Sequence, residues 1–266
     1  MQHDFTEGEF YQANFEAAAY LTTYYSSETG NAFEGSQLLF HIDSSFSILL
    51  FLTGHITGKL LIDIGSGPTL HNALIASEYF QEIIMSDYVE CNRKEIEKWL
   101  RRESGAHDWS HVSKSTIEER EEKTRSVIKQ VLKCDVTQIN PFHPIVWSLQ
   151  TADISVMHLG NATLLKPGGT LIIIGMLKET FYTLGKYKYS CLYIDQNFVK
   201  SALQKQGFVI QKFEAKPGPD KATNIMSDFE RKYLFLWHRK QVDLLYICVP
   251  VRLTGGRMKR PSVPNN

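Results

Sequence analysis

A glycine turn that directly follows an apolar run is the feature of this sequence that points most clearly to chemistry. Residues 60–64 are apolar except for Asp63, and the turn Gly65-Ser66-Gly67-Pro68 follows them. This pattern predicts a buried parallel strand whose carboxyl end meets a ligand, with glycines that let the ligand approach the backbone. The dinucleotide-binding motif would need a third glycine where this chain has Leu70, and Pro68 removes an amide donor. Both departures disfavour an NAD-dependent oxidoreductase.

A second acid stands at the spacing that a nucleoside site requires. Residues 82–86 predict the second strand, and Asp87 follows it. In doubly wound α/β folds an acid at this position accepts hydrogen bonds from ribose hydroxyls. A nucleoside site without a diphosphate cradle indicates S-adenosylmethionine. A plain strand–turn–helix junction would give a similar pattern, so that alternative stays open.

Several segments resemble one family of small-molecule methyltransferases. Residues 61–69 are similar to the signature of the nicotinamide, phenylethanolamine and indolethylamine (thioether) N-methyltransferases, although Leu70-His71-Asn72 departs from its continuation. Further similar segments keep one order over about residues 1–240: residues 4–6, Tyr11, Phe15, and residues 20–25, 86–88, 97–100, 106–109, 133–137 and 164–169. On these residues the chain is identified as a member of that family.

The resemblance implies an S-adenosylmethionine-dependent enzyme that methylates the nitrogen of a small aryl or arylalkyl amine. Such a displacement needs alignment, exclusion of water and a neutral amine, so neither a catalytic nucleophile nor a metal site is expected. The cofactor is expected to be S-adenosyl-L-methionine. The residues implied to bind it are Tyr20, Tyr25, Gly65, Ser66, Gly67, Thr69, His71, Asp87, Tyr88, Asn92, Asp135 and Val136.

Two of these groups have roles that the family suggests. Tyr20 and Tyr25, on the first predicted helix, match positions that close over the carboxylate of the cofactor. Asp87 and Asn92 match contacts to the ribose. Tyrosines at helical spacing also pack in ordinary cores, so a purely structural role for Tyr20 and Tyr25 is the alternative.

The adenine end of the cofactor is implied at the third strand. Asp135 resembles an acid that accepts from the exocyclic amine, and Val136 resembles a residue that offers its backbone amide. An ordinary aspartate at a strand end is the alternative for Asp135. His71 stands where the family has a tyrosine, so a hydrogen bond to the cofactor and simple solvation are both open.

The substrate side is implied at Tyr182, Cys191 and Gly175. Tyr182 matches an aromatic residue that stacks on the substrate, and Cys191 stands where the nicotinamide enzyme has a serine. Gly175, at the predicted end of strand five, occupies a position that the resemblance associates with an acid orienting the amine or amide. Because glycine lacks that acid, tryptamine-like amines or thioethers are favoured over nicotinamide.

Alternating strands and helices are predicted to hold these residues in place. Strands are predicted at 59–64, 82–86, 130–134, 152–157, 170–174, 208–214 and 232–239, and helices at 8–26, 36–53, 70–77, 91–102, 118–129 and 195–206. This alternation predicts an α/β, Rossmann-like, mainly parallel seven-stranded sheet with helices on both faces and an N-terminal helical lid. We expect one methyltransferase domain over residues 1–240, with the lid at 1–56, and an atypical tail at 241–266.

Two segments depart from the family pattern. If residues 166–169 form a turn, only residues 158–165 remain for the crossover between strands four and five, whereas parallel neighbours need about a dozen or more. The tail adds the apolar run 242–251, which has no obvious place in the sheet. We therefore predict cofactor binding with reduced stability and turnover. A catalytically inactive S-adenosylmethionine-binding variant of the same fold is the alternative function.

Composition narrows the function classes. The chain has 266 residues, of which 43% are hydrophobic, and its 29 basic and 29 acidic residues leave no net charge to attract nucleic acid. The four cysteines form no Cys-x-x-Cys pair, which disfavours zinc and disulfides and favours a reducing cytoplasm. No leader-like segment and no apolar run of about 18 residues is seen, so neither secretion nor a membrane span is expected. We expect a monomer that acts on a small amine.

Overall fold

Two short helices precede the first strand in the computed structural model, which describes residues 6, 8–26, 57–112, 117–138, 140–144, 152–157, 165–217, 227–228 and 230–239. They are α1 (Gly8–Asn14) and α2 (Ala17–Tyr25). The single helix predicted over residues 8–26 is therefore wrong, because Phe15 is buried in an aromatic cluster and Glu16 is extended. Residues 27–56 of the predicted lid, which include the helix predicted at 36–53, lie outside the described residues, and so does the tail at 241–266.

A seven-stranded sheet forms the centre of the described part of the chain, as predicted. Its strands are β1 Gly58–Ile64, β2 Phe80–Asp87, β3 Ile128–Lys133, β4 Ala152–Met157, β5 Leu165–Leu177, β8 Phe208–Pro217 and β9 Arg231–Arg239. Their order in the sheet is β3-β2-β1-β4-β5-β9-β8. Strands β1 to β5 are parallel, and β9 runs antiparallel to both β5 and β8. The Rossmann-like, mainly parallel sheet is thus confirmed.

Helices pack on both faces of this sheet. They are α3 (His71–Ala76), α4 (Glu90–Leu100), α5 (Ile117–Val127) and α6 (Gln196–Lys205), each within two residues of its predicted bounds. Successive residues of β1 point to the two faces of the sheet: Leu61 packs with α3 to α5, whereas Ile62 packs with α6. None of the described helices has the length and hydropathy needed to cross a membrane.

A hairpin that the sequence analysis missed lies after β5. It consists of β6 (Phe181–Leu184) and β7 (Tyr187–Ser190), joined by Gly185 and Lys186. Gly185 has φ +55° and Lys186 does not have positive φ, which matches a type II′ turn. Aromatic residues alternating on either side of a glycine were the signal that could have predicted it. The hairpin matters because it packs against α1 and α2.

The connection between β4 and β5 is even shorter than predicted. Residues 166–169 were expected to form a turn, but β5 already begins at Leu165, which pairs with Ala152. The register then shifts, so that Ile154 pairs with Thr170 and the Pro-Gly-Gly residues form an irregularity within the strand. The turn prediction is therefore wrong. Only residues 158–164, outside the described part, join two parallel strands that usually need about a dozen residues or more.

Candidate functional site

Three loops start side by side where the first three strands end. Ile64 pairs with Ser86 and Asp87 pairs with Lys133 in the parallel ladders. The amides of Gly65 and Ser66 both donate to the carbonyl of Ser86, at 2.9 and 3.0 Å. Because the strands are parallel and in register, the predicted residues of all three loops meet at one edge of the sheet.

The glycine turn after β1 leaves open space beside its backbone. Gly65 and Gly67 have φ of 73° and 59°, a region in which other residues are strained. A Cβ built on Gly67 would meet no atom within 4 Å. The hydroxyl of Thr69 donates to the carbonyl of Ser66 at 2.7 Å and fixes the turn from its buried side. The turn therefore has a fixed shape and an accessible backbone, as a ligand cradle requires.

Asp87 connects this turn to the loop after β2. Its Oδ2 accepts from the amide of Gly67 at 2.9 Å. Its Oδ1 accepts from the amide of Val89 at 2.8 Å and from Nδ2 of Asn92 at 3.0 Å. Burial raises the pKa of Asp87, and these hydrogen bonds and the charge of Arg93 oppose that shift. The carboxylate is thus held in one orientation by donors from two loops.

Among the described residues at this edge, three side-chain oxygens are buried without a hydrogen-bond partner: Asp63 Oδ1, Asn72 Oδ1 and Asn92 Oδ1. Such atoms are costly unless water or a ligand supplies donors. Burial raises the pKa of Asp63 to about 7, an effect that the side chain of Asn72 opposes and the charge of Asp87 increases. These acceptors suit a ligand that carries hydroxyl and ammonium donors.

Asp135 directs its carboxylate into its own turn. Its Oδ1 accepts from the amide and the hydroxyl of Thr137 at 3.0 and 2.6 Å, and its Oδ2 accepts from Gln138 at 3.2 Å. Burial alone would raise the pKa of Asp135, but these hydrogen bonds outweigh it and the pKa is lowered. Val136 packs against the core on the α6 side. Contacts from this pair to adenine stay a prediction.

The predicted lid tyrosines lie on α2 rather than on the first helix. Tyr25 is buried, and its ring stacks on His71 with centroids 5.5 Å apart. Tyr20 lies next to Tyr25, with ring centroids 5.8 Å apart. His71 is only 2% exposed, so simple solvation of this histidine is wrong. Its ring instead joins the lid to the start of α3.

The two cofactor positions not yet placed, Ser66 and Tyr88, flank the same edge. The Ser66 hydroxyl donates to the carbonyl of Ser86 at 3.2 Å, so this side chain stabilises the turn. Tyr88 is half-buried, and its carbonyl accepts from the side chains of Gln12 and Arg93. All twelve predicted cofactor positions lie in the described residues, on α2, at the last residue of β2, or on the loops and helix starts that follow β1, β2 and β3.

Tyrosines of α1, α2 and the hairpin form one aromatic wall. The hydroxyls of Tyr182 and Tyr11 lie 2.7 Å apart, and the Tyr182 ring stacks on Tyr189 with centroids 5.3 Å apart. The hydroxyl of Tyr24 donates to the carbonyl of Thr183 at 2.5 Å. Burial is the main cause that raises the pKa of Tyr182. The hydroxyl groups therefore stay neutral and serve as hydrogen-bonding groups.

Glu179, which sequence reasoning missed, brings a carboxylate to this wall. It lies two residues after β5 and accepts from the hydroxyl of Ser227 and from the thiol of Cys191. Burial raises the pKa of Glu179, those two hydrogen bonds oppose the shift, and Asp228 increases it. Its charge also adds to burial in raising the pKa of Tyr20. An acid directly before an aromatic-rich hairpin was the available signal.

Gly175 lies inside β5, paired with Tyr233, because the strand continues to Leu177. The prediction that strand five ends at Gly175 is therefore wrong. A different acid, Glu179, lies two residues after the end of β5, and it contacts Cys191, one of the three predicted substrate-side residues. Within the described part of the chain, no group of three or more histidine, cysteine, aspartate or glutamate residues could hold a metal ion.

The strand order and the glycine turn define the class I methyltransferase fold. The crystal structure of magnesium protoporphyrin IX methyltransferase from Synechocystis PCC 6803 with bound S-adenosylmethionine matches this fold with a TM-score of 0.54. The sequences are only 11% identical, and the match covers 87% of this chain and 94% of that chain.

Sequence comparison specifies the family. The model of the NNMT/PNMT/TEMT family matches residues 2–241, so the chain belongs to this family. Nicotinamide N-methyltransferase from Homo sapiens is 37% identical over 238 residues, covering 80% of this chain and 89% of that protein. Indolethylamine N-methyltransferase from Oryctolagus cuniculus is 35% identical over 243 residues, covering 82% and 91%. The protein is thus an S-adenosylmethionine-dependent N-methyltransferase of small molecules, and the unpartnered acceptors and open glycine turn fit that cofactor.

Asp63 should make the ligand-free protein less stable as the pH rises. Its folded-state pKa of about 7 lies above its ordinary 3.8, so its stabilising contribution is complete below the lower value and is lost as pH rises through the higher one. Asp63→Asn mimics the protonated acid. Urea unfolding at several pH values should show a shallower decline for this variant.

Asp108→Asn is the control, because hydrogen bonds from Ser110 lower the pKa of Asp108 and give it the opposite pH dependence. That variant should keep the decline. Asp87 and Glu179 also have raised pKa values, so some decline should remain in Asp63→Asn. An identical slope in Asp63→Asn and the unaltered protein would contradict the assignment.

Proposed function

We propose that the protein transfers a methyl group to the nitrogen of a small arylalkyl amine, of the indolethylamine or phenylethylamine kind. The observation that carries this proposal is the partly buried carboxylate of Glu179 beside Cys191 and close enough to Tyr20 and Tyr24 for its charge to raise their pKa values. A carboxylate in an aromatic pocket suits an ammonium group attached to an aromatic ring, because charge-assisted hydrogen bonds orient the first and ring stacking holds the second.

S-Adenosylmethionine supplies the methyl group and leaves as S-adenosylhomocysteine. We propose that the open turn at Gly65, Ser66, Gly67 and Thr69 receives its amino-acid part, with Tyr20, Tyr25 and His71 closing over it. Asp87, Tyr88 and Asn92 would hold the ribose, and Asp135 and Val136 the adenine. The open space at Gly67 and the free Oδ1 of Asn92 support this assignment.

On the amine side, we propose that Tyr182 stacks on the aromatic ring and that Glu179 binds the nitrogen, with Cys191 orienting Glu179. The amine must lose a proton before its lone pair attacks the methyl carbon. Because burial raises the pKa of Glu179, its carboxylate is a better proton acceptor than a solvated one. Gly175 would leave room for the substrate without contributing a charge.

The short connection after β4 supports a second proposal, that turnover is impaired. Strand β4 ends at the same sheet edge as β1, because Met157 pairs with Ile64. Only residues 158–164 are available for the return from that edge to β5. An S-adenosylmethionine-binding variant without activity is the extreme form of this proposal.

We also propose the domain organisation, oligomeric state, location and partners of the protein. A single domain at residues 1–240 with an extra tail at 241–266, a monomeric state and a cytoplasmic location are consistent with the balanced charge of 29 basic and 29 acidic residues and with the cysteine spacing. Small amines, rather than nucleic acid or membrane surfaces, would be its partners.

Asp87→Asn should weaken binding of S-adenosylhomocysteine by about tenfold to a hundredfold, since one charge-assisted hydrogen bond contributes roughly 1.5–3 kcal/mol. The amide nitrogen of asparagine cannot accept from Gly67 or Val89, so the loop should also lose order. Isothermal titration calorimetry measures the affinity. The control is Asp195→Asn, at an aspartate that also accepts a backbone amide, that of Phe198, but at the start of α6. An unchanged dissociation constant in Asp87→Asn would show that the ribose site is elsewhere.

Glu179→Gln should reduce kcat/KM for tryptamine by about tenfold to a hundredfold, because the ammonium loses its charged acceptor. The unaltered protein should prefer tryptamine over nicotinamide, a neutral amide that gains little from a carboxylate. Methyl-transfer assays with labelled cofactor measure both. Glu230→Gln is the matched control: this exposed glutamate pairs with Lys178 at 2.7 Å. The assignment fails if nicotinamide is the best substrate or if both variants behave alike.

Lengthening the connection after Met157 should raise thermal stability and turnover together. Replacing residues 158–164 by a segment of about 18 residues with a helix would meet the usual length of a parallel crossover. The control inserts a Gly/Ser segment of equal length, which adds chain without a helix. Turnover of the unaltered protein at about 1 s⁻¹ or faster, a rate common among enzymes, would refute the impairment.

A further inference from the structure

Helix α1 lies between the two halves of the proposed site, and neighbouring residues on it contact different halves. The hydroxyl of Tyr11 lies 2.7 Å from that of Tyr182. Tyr182 belongs to the aromatic wall that, with Glu179 and Cys191, is proposed to bind the amine and is called the amine wall below. The residue after Tyr11, Gln12, donates from Nε2 to the carbonyl of Tyr88 at 2.9 Å. Tyr88 lies beside Asp87 in residues 87–92, which are proposed to hold the ribose and are called the ribose loop below. One helix therefore contacts the proposed binding regions of both ligands.

The amide of Gln12 uses both of its ends on the ribose loop. Its Oε1 accepts from the amide of Glu90 at 3.3 Å, so the side chain bridges the backbone on either side of Val89. The amide of Val89 in turn donates to Asp87. Gln12 is itself exposed, so these contacts bury no apolar surface and add nothing to the core.

On its other side, the N-terminal segment is attached to the hairpin. Thr6 and Ser190 exchange hydrogen bonds: the Thr6 amide donates to the Ser190 hydroxyl at 3.0 Å, and the Ser190 amide donates to the Thr6 hydroxyl at 2.8 Å. The hydroxyl of Tyr189 donates to the carbonyl of Asn14 at 3.1 Å. Ser190 directly precedes Cys191, which contacts Glu179, so this attachment continues into the amine wall.

A helix of this length depends on its neighbours. α1 has only 7 residues, and isolated helices shorter than about 12–15 residues are marginal in water. Its docked position is therefore set by the contacts with the ribose loop and the hairpin. A ligand that favours the docked helix lowers the ordering cost for a second ligand that also favours it.

We infer that Gln12 is a positioning residue through which the cofactor and the amine increase each other's affinity. The inference rests on the proposed function for the identity of the amine site. Gln12 touches neither ligand: it fixes the ribose loop to α1, and Tyr11 on the same helix fixes the amine wall. Without Gln12, binding of one ligand should no longer raise the affinity for the other, although each site should still bind its own ligand.

Calorimetric titration tests this coupling. The dissociation constant of S-adenosylhomocysteine is measured alone and with saturating tryptamine, and the ratio of the two is the coupling factor. A factor of about 5 to 150, the usual range for coupled sites, is expected in the unaltered protein. In Gln12→Ala, and in Gln12→Glu, which keeps the shape but cannot donate to Tyr88, the factor should fall close to 1.

Asn14→Ala is the matched control, because the Asn14 amide lies on the same helix but donates to the carbonyl of Phe10 within it, at 3.0 Å. This variant should keep the coupling factor. If tryptamine binds, a factor near 1 in the unaltered protein, or an unchanged factor in both Gln12 variants, would overturn the inference.

A second measurement needs no amine and separates this inference from the proposed function. Binding of S-adenosylhomocysteine should slow hydrogen exchange of the hairpin amides at residues 181–190 in the unaltered protein and in Asn14→Ala, but not in Gln12→Ala. If tryptamine fails to bind and the hairpin is still protected in this pattern, the proposed substrate is wrong and the inference about Gln12 stands. Cofactor binding that leaves hairpin exchange unchanged in the unaltered protein overturns the inference itself.

Discussion

The candidate site depends on the hydrogen bonds that the Asp87 carboxylate accepts from two loops. Donors from Gly67, Val89 and Asn92 converge on its two oxygens, which joins the turn after β1 to the loop and helix after β2. Parallel pairing brings these loops to one edge, but pairing alone leaves their backbones free to vary. The buried carboxylate removes that freedom, since an amide left without its acceptor there would be costly.

The aromatic N-terminal segment and the hairpin pack together and against the loop after β2. Their contacts consist largely of tyrosine rings and hydroxyls, for example between Tyr11 and Tyr182, and such groups combine apolar area with hydrogen bonding. Glu179 is the charged member of this wall, and Cys191 and Ser227 satisfy part of its hydrogen-bonding capacity. A ligand with an aromatic ring and an ammonium group would satisfy both kinds of surface at once.

The connection between β4 and β5 is short for a crossover between parallel strands, since only residues 158–164 join them. The early start of β5 at Leu165 allows pairing with Ala152 and shortens the connection at the same time. Sheet pairing is thereby kept while only residues 158–164 remain to join Met157 to Leu165. Under the proposed function, cofactor binding depends on β1 to β3 and methyl transfer depends also on this connection, so the two properties should be separable.

The sequence alone determined the parallel sheet, the helices on its faces and the glycine turn that ends β1, because strand periodicity and the turn Gly65-Ser66-Gly67 are local signals. Tertiary structure decided what depends on distant partners. The break at Phe15 and Glu16 arises from packing against the hairpin, and the start of β5 from pairing with Ala152. Glu179 gained its place beside Cys191 and Ser227 in the same way, since residues 48 positions apart meet only when the chain folds.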